Sequence, residues 1–292
     1  MSLSISEALS ESKQLAGYSD SSRLDAELFL AAALNRSREY IYTWPNGAVS
    51  RRELNTYHSY LERRRGGEPV AYILGRQAFW DFDLTVNESV LIPRPETEQL
   101  VEWAIDLLDC CSSDCVHIAD LGTGSGAIAL ALASTNHLWQ LSAVDVSEDA
   151  LKVARMNAEE LNLTNIDYIH SSWCDGFTQD KFDLIVANPP YVAIGDPHLQ
   201  EGDLPFEPKL ALISDESGKG DIRRIAESGR EFLKDDSWLL LEHGYDQKEE
   251  VGIILKNLGY KEIECRQDYA GIDRMTIGKW SDGGLIKDVR NV

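Results

Sequence analysis

Two short runs hold residue types suited to chemistry, one on a nucleoside and one on a flat NH2 group. The first is Asp120-Leu121-Gly122-Thr123-Gly124-Ser125-Gly126, directly after an apolar stretch. Glycines there let the backbone pass close to a ligand at the amino end of the following helix. With Ala127 the run also satisfies the dinucleotide pattern GxGxxG/A, and Asp145 ends the next apolar stretch about where a carboxylate holds ribose hydroxyls. Gly122, Thr123, Gly124, Ser125, Gly126 and Asp145 therefore form a candidate nucleoside site, open at this level to both NAD and S-adenosylmethionine. The second run is Asn188-Pro189-Pro190-Tyr191, which follows the apolar residues 182–186. Pro189 biases Asn188 away from helix, and Pro190 fixes the next φ, so the Asn188 amide is held at low entropic cost. Neither proline donates a backbone hydrogen bond. What remains is the Asn188 side-chain oxygen and the carbonyls of Asn188 and Pro189, beside the ring of Tyr191. Two acceptors and an aromatic face suit an NH2 group whose nitrogen has to be oriented. A hydride-transfer enzyme has no evident need for such a corner. Trp173, in Ser171-Ser172-Trp173, stands where it can pack on an adenine ring or in the core.

The elements that position these runs alternate in type. Segments 116–121, 141–144, 166–170, 182–187 and 238–242 read as strands, and 127–133, 148–161, 222–233 and 247–258 as helices between them. Such repetition implies a mostly parallel, doubly wound sheet. The last two strand-like runs, 260–265 and 274–278, are joined by a turn, which makes one of them antiparallel. Ahead of this lies a helical module. In it Leu24, Leu28 and Ala31/Ala32 mark one helix face, and Ser50-Arg51-Arg52-Glu53 is a capping box leading to Leu54, Tyr57 and Leu61. Arg63-Arg64-Arg65 reads as the solvated last turn of that helix. Alternation from Ala78 to Val86 reads as a hairpin, and Pro95 opens a helix through Leu100, Val101, Ala104 and Leu108. The division expected is a helical domain over 1–75, a β-hairpin linker over 76–90 and the α/β domain over 91–292.

Charge is unevenly spread. Of a net −21, residues 1–80 carry +1 and residues 81–292 carry −22. A domain so negative repels phosphate backbones, which argues against direct nucleic-acid binding and leaves room for a protein partner. No apolar run approaches the ~20 residues that cross a bilayer, and no signal-peptide pattern opens the chain, so a cytoplasmic protein is expected. The five cysteines include Cys110, Cys111 and Cys115 near His117, but without two CxxC-like halves. Free thiols are expected and no metal. His198 and His243 read as structural or loop residues, not as a general base.

Taken together, Gly-Thr-Gly-Ser-Gly at 122–126, Asp145, Asn-Pro-Pro-Tyr at 188–191, Leu-Ile-Pro-Arg-Pro-Glu-Thr-Glu at 91–98 and Phe206-Glu207-Pro208 resemble the bacterial PrmC/HemK family of peptide chain release factor glutamine methyltransferases. The resemblance covers essentially the whole chain. It implies a class I, Rossmann-like methyltransferase with a small helical N-terminal domain that recognises substrate. S-adenosyl-L-methionine would be the donor and S-adenosyl-L-homocysteine the product. The substrate it implies is the glutamine side-chain nitrogen in the Gly-Gly-Gln loop of class 1 release factors. By the same resemblance Gly122 to Gly126, Asp145, Trp173 and Asn188 contact the cofactor. Asn188, Pro189, Pro190 and Tyr191 contact the glutamine, with Asn188, Pro189 and Tyr191 catalytic, in an enzyme expected to be monomeric. Asn-Pro-Pro-Tyr is shared with adenine-N6 methyltransferases of DNA, so such an enzyme is one alternative, and a non-catalytic nucleoside-binding protein is the other.

Overall fold

A computed structural model describes residues 3–109, 115–179 and 181–281. It divides into two compact units, Met1–Arg76 with Gln200–Phe206, and Gln77–Leu199 with Glu207–Val292. Cys110 and Cys111 and the polar tail after Ser281 lie outside the described residues.

The first unit is helical, with Ile5–Ser10, Ser22–Leu34, Arg38–Thr43, Arg51–Arg65 and Val70–Leu74 around a core that includes Ile5, Leu15, Phe29, Leu30, Tyr57 and Leu61. The expected capping box forms: Ser50 N–H donates to Glu53 Oε2 at 2.7 Å, and Glu53 N–H donates to Ser50 Oγ at 3.3 Å. Two expectations fail here for one reason. The inward face of Ser22–Leu34 carries Asp25, Ala26, Phe29 and Leu30, while Leu24 is 41% exposed. Arg64, expected in solvent, is only 13% exposed and pairs with both Asp25 and Asp203 at 2.9 Å. Asp25 is further satisfied by the Ser19 and Ser21 hydroxyls at 2.7 Å. Burying a carboxylate is tolerable only with such partners, and partners 39 and 139 residues from Arg64 leave no periodic trace.

In the second unit a seven-stranded sheet runs in the order Lys261–Gln267, Asp273–Trp280, Leu233–Glu242, Phe182–Ala187, His117–Leu121, Gln140–Asp145, Ile166–His170. Asp273–Trp280 is antiparallel to both neighbours, as the turn before it predicted, and the other pairings are parallel. Apolar cores cover both faces, one under Pro95–Asp109 and Ala127–Thr135, the other under Gly220–Gly229 and Lys248–Asn257. The helix expected over 222–233 stops at Gly229, because Leu233 already pairs with Phe182 and begins the next strand. The hairpin forms as Arg76–Phe79 and Phe82–Thr85, but Trp80 turns at φ 56°. The turn shifts the alternation, so Phe79 and Leu84 face inward together. Among the described residues no helix is long and apolar enough to cross a membrane.

Strand order decides where the site lies. His117–Leu121 has Gln140–Asp145 on one side and Phe182–Ala187 on the other, so consecutive crossovers leave in opposite directions between them. Ligands of open α/β sheets bind at the carboxyl ends of such strands. Register makes this concrete: Leu121 pairs with both Val144 and Ala187, and Ala187 with Leu241. Gly122, Asp145, Asn188 and Glu242 therefore leave the sheet side by side.

Candidate active site

A cavity of about 380 Å³ opens at that edge, lined by Gly122, Thr123, Gly124, Ser125, Asp145, Trp173, Asn188 and Pro190 among others. Its floor is the glycine loop, which is tied down from beneath. The amides of Gly122 and Thr123 both donate to the Val144 carbonyl at 2.8 and 2.9 Å. Thr123 Oγ1 donates to Asp120 Oδ2 at 2.6 Å, and the Asn157 side chain donates to the Ser125 carbonyl at 2.9 Å. Asp120 is fully buried, and burial pushes its carboxyl up to about 7. Gly126 caps the helix Ala127–Thr135 from below the loop at φ 88°, where a Cβ would press on Leu130 and Ala154. Gly124, at φ 56°, has open space where a Cβ would stand, so its backbone can face a ligand directly.

Asp145 lines the cavity and is itself held by backbone hydrogen bonds. Its Oδ2 accepts the Gly124 amide at 2.9 Å and its Oδ1 the Ser147 amide at 2.8 Å, so it also shapes the loop. Burial raises its carboxyl above the usual range. Trp173, at φ 45° on a single 3-10 turn, brings its ring to 3.3 Å from where a Gly122 Cβ would be. The ring thus packs over the glycine loop, half-buried against the adjoining core and with a face in the cavity lining.

The Asn188 corner is held by Thr97, from the run 91–98 that carried the resemblance, and by Glu242 and Gln247, which the sequence did not single out. Asn188 Nδ2 donates to Thr97 Oγ1 at 3.2 Å, and Thr97 Oγ1 donates to Glu242 Oε2 at 2.8 Å. The Tyr191 hydroxyl reaches Glu242 Oε1 at 3.5 Å, and the Tyr191 carbonyl accepts from Gln247 Nε2 at 3.0 Å. Pro189 is buried, and neither it nor Tyr191 is among the cavity's lining residues. Burial raises both the Tyr191 phenol and the Glu242 carboxyl, the latter to about 7. His243 is buried between the Gly244 carbonyl and Thr276, His198 pairs with Asp196, and neither lines the cavity.

A further part of the lining comes from the run 89–97 and includes Leu91, Pro93 and Arg94 as well as Thr97. Buried Glu207 anchors it, accepting the Ile92 amide at 3.1 Å and pairing with the Arg94 guanidinium. The two runs around Arg94 and Glu207, 113 residues apart, are thus one structural unit. Among the described residues no group of three or more His, Cys, Asp or Glu side chains is placed to hold a metal ion.

Comparison with known proteins gives the family and the fold. Residues 7–75 match the family model described as the PrmC N-terminal domain, and residues 106–200 match the methyltransferase small domain. The release factor glutamine methyltransferase of Aliivibrio fischeri is 44% identical over 284 residues, 96% of this chain and 99% of that protein. The protein of the same name from Pseudomonas aeruginosa is 46% identical over 263 residues, 90% of this chain and 94% of that protein. The chain belongs to the release factor glutamine methyltransferase family. A methyltransferase structure from Pyrococcus furiosus, 17% identical, superposes with a TM-score of 0.51 over 70% of this chain and 91% of that one, which shows the class I methyltransferase fold. In this family member Gly122 to Ser125, Asp145, Trp173 and Asn188 line one cavity, while Gly126, expected with them, does not. Thr97 and Glu242 are the additions. Thr97 lies in the Leu-Ile-Pro-Arg-Pro-Glu-Thr-Glu run already quoted, while the signal for Glu242 was its place at the end of the strand-like run 238–242.

Proposed function

We propose that this protein transfers a methyl group from S-adenosyl-L-methionine to the side-chain amide nitrogen of a glutamine in peptide chain release factors, and that the glutamine is that of the Gly-Gly-Gln loop. The observation that carries this is the polarity of the Asn188 amide. Its NH2 end is taken by Thr97, which leaves Oδ1 as the end free to accept an N–H from a substrate in the cavity beside the glycine loop. S-adenosyl-L-methionine, when bound, supplies an electrophilic methyl on a sulfonium. The residues present suit that donor: Gly124 admits close approach, Trp173 offers a flat face, and Asp145 keeps acceptor lone pairs beside its two backbone hydrogen bonds.

Asn188 Oδ1, in the cavity lining, accepts one N–H bond of the glutamine amide and turns its nitrogen toward the methyl; the Pro189 carbonyl, on a residue behind that lining, is the second acceptor the motif offers once substrate enters. An amide lone pair is delocalised, so orientation is the main thing the protein has to contribute, and it can supply ~7–11 kcal/mol. The proton acidified by methylation leaves to water, which is consistent with His198 and His243 being engaged elsewhere. Tyr191 backs this corner, its hydroxyl directed to Glu242. The helical unit grips the folded release factor, in a cytoplasmic enzyme acting as a monomer and without direct nucleic-acid contact.

Incubation with methyl-labelled S-adenosylmethionine and either a class 1 release factor or DNA tests this. Label is expected on the glutamine of the protein; label on adenine instead would establish the nucleic-acid alternative, and label on neither would refute the proposal. For the cofactor itself, Asp145→Ala is expected to weaken binding by ~1–3 kcal/mol. Calorimetric titration checks this, and an unchanged affinity would remove Asp145 from the cofactor site.

A further inference from the structure

The path from Glu242 through Thr97 to Asn188 joins three residues that meet only in the folded chain, 145 and 91 positions apart. Glu242 and Thr97 are 2% and 3% exposed, so bulk solvent does not compete for either partner. Thr97 has a single hydroxyl proton. While Glu242 is a carboxylate it can only accept, so that proton is committed to Glu242 Oε2, and Thr97 can meet Asn188 only as an acceptor. The consequence falls on Asn188. Its amide can turn about its last bond and exchange oxygen for NH2, and the two ends have opposite effects on a substrate NH2 group. With Thr97 accepting, Nδ2 is the end drawn to it and Oδ1 is left for the substrate. Were the Thr97 proton directed at Asn188 instead, Oδ1 would turn inward and NH2 would oppose NH2.

We infer that Glu242 and Thr97 are positioning residues for methyl transfer: the Glu242 carboxylate holds the Thr97 proton and thereby sets which end of the Asn188 amide meets the glutamine. This rests on the glutamine-methylating function proposed above. Protonated Glu242 can donate to Thr97, which frees the Thr97 proton for Asn188 Oδ1 and reverses the chain. Burial above all, helped by Glu96, raises Glu242 to about 7 against the lowering by the Thr97 hydroxyl, Arg274 and the Tyr191 hydroxyl. The working form is the ionised one, so activity is lost as pH falls through that region and is full above it.

The experiment measures kcat at saturating cofactor and release factor across about pH 6 to about 8.5 for the wild type, Thr97→Val, Thr97→Ser and Glu242→Gln. Thr97→Val keeps the shape and removes the hydroxyl; kcat is expected to fall about 10²-fold, with the KM for cofactor within about threefold, and Thr97→Ser to restore most of it. The wild-type acid limb is expected to be absent in Glu242→Gln, which cannot titrate there. Wild-type kcat in folded Thr97→Val, or the same acid limb in Glu242→Gln, would overturn the inference; should Thr97→Val not fold, the pH profiles of Thr97→Ser and Glu242→Gln decide. A second arm needs no substrate: the Asn188 side-chain NH2 resonances of the full-length protein should shift through about pH 7 in the wild type and stay fixed in Glu242→Gln. Shifts as expected without release factor methylation would refute the proposed function alone. Methylation without shifts would refute the positioning role alone.

Discussion

Asn188→Ala is expected to lower the rate of methyl transfer by about 10²-fold or more while leaving cofactor affinity within about tenfold. The substitution removes the acceptor end of the amide and leaves Thr97 Oγ1 with no donor in place of Asn188 Nδ2. A glutamine amide held only by the Pro189 carbonyl can rotate, and its nitrogen then spends little time aimed at the methyl. The glycine loop, Asp145 and Trp173 are untouched by the change, which is why binding and turnover should separate. Single-turnover methylation of release factor under saturating cofactor, with calorimetry for the cofactor, checks both halves. A wild-type rate would show that Asn188 does not orient the substrate.

The second large effect is expected at a position with no chemistry of its own. Gly218 lies behind Tyr191 at φ 86°, and a Cβ placed on it would stand 2.2 Å from the Tyr191 carbonyl oxygen and 2.8 Å from Gln247 Nε2. Neither can yield freely, because Gln247 Nε2 donates to that carbonyl at 3.0 Å and holds the motif's backbone in place. Gly218→Ala therefore combines a left-handed backbone with an overpacked contact, costing on the order of 3 kcal/mol of stability. The backbone shift that relieves the contact is passed to the Asn188 corner. Displacement of about 1 Å there is enough to cost about 10²-fold in turnover of the molecules that remain folded. Thermal denaturation and active-site-normalised kcat measure the two effects. Gly220 makes the contrast, because there a Cβ would meet the side chain of Asp215, which can swing away. A Gly218→Ala protein with wild-type melting temperature and kcat would show that this contact does not position the motif.

Much of the second unit was legible in the sequence because its signals are local. Buried parallel strands are apolar runs, the helices between them carry their own periodicity, and glycine or proline marks a backbone constraint wherever it occurs. For that reason the Gly122–Gly126 loop, Asp145 and the Asn188 corner could be named before any fold was known, and strand order brought their expected neighbours together. The sequence alone also settled the turn before Asp273–Trp280 and the capping box at Ser50. What only the tertiary structure decided were the polar groups that are buried. Arg64 between Asp25 and Asp203, Glu207 beneath Arg94, and Glu242 beneath Thr97 all look like surface residues to any count of hydrophobic spacing. A charged side chain enters a core only when distant partners satisfy it, and those partners are chosen by the packing of strands and helices, not by position along the chain. Local chemistry thus supplied the acceptor at Asn188, and the fold determined which way that acceptor points.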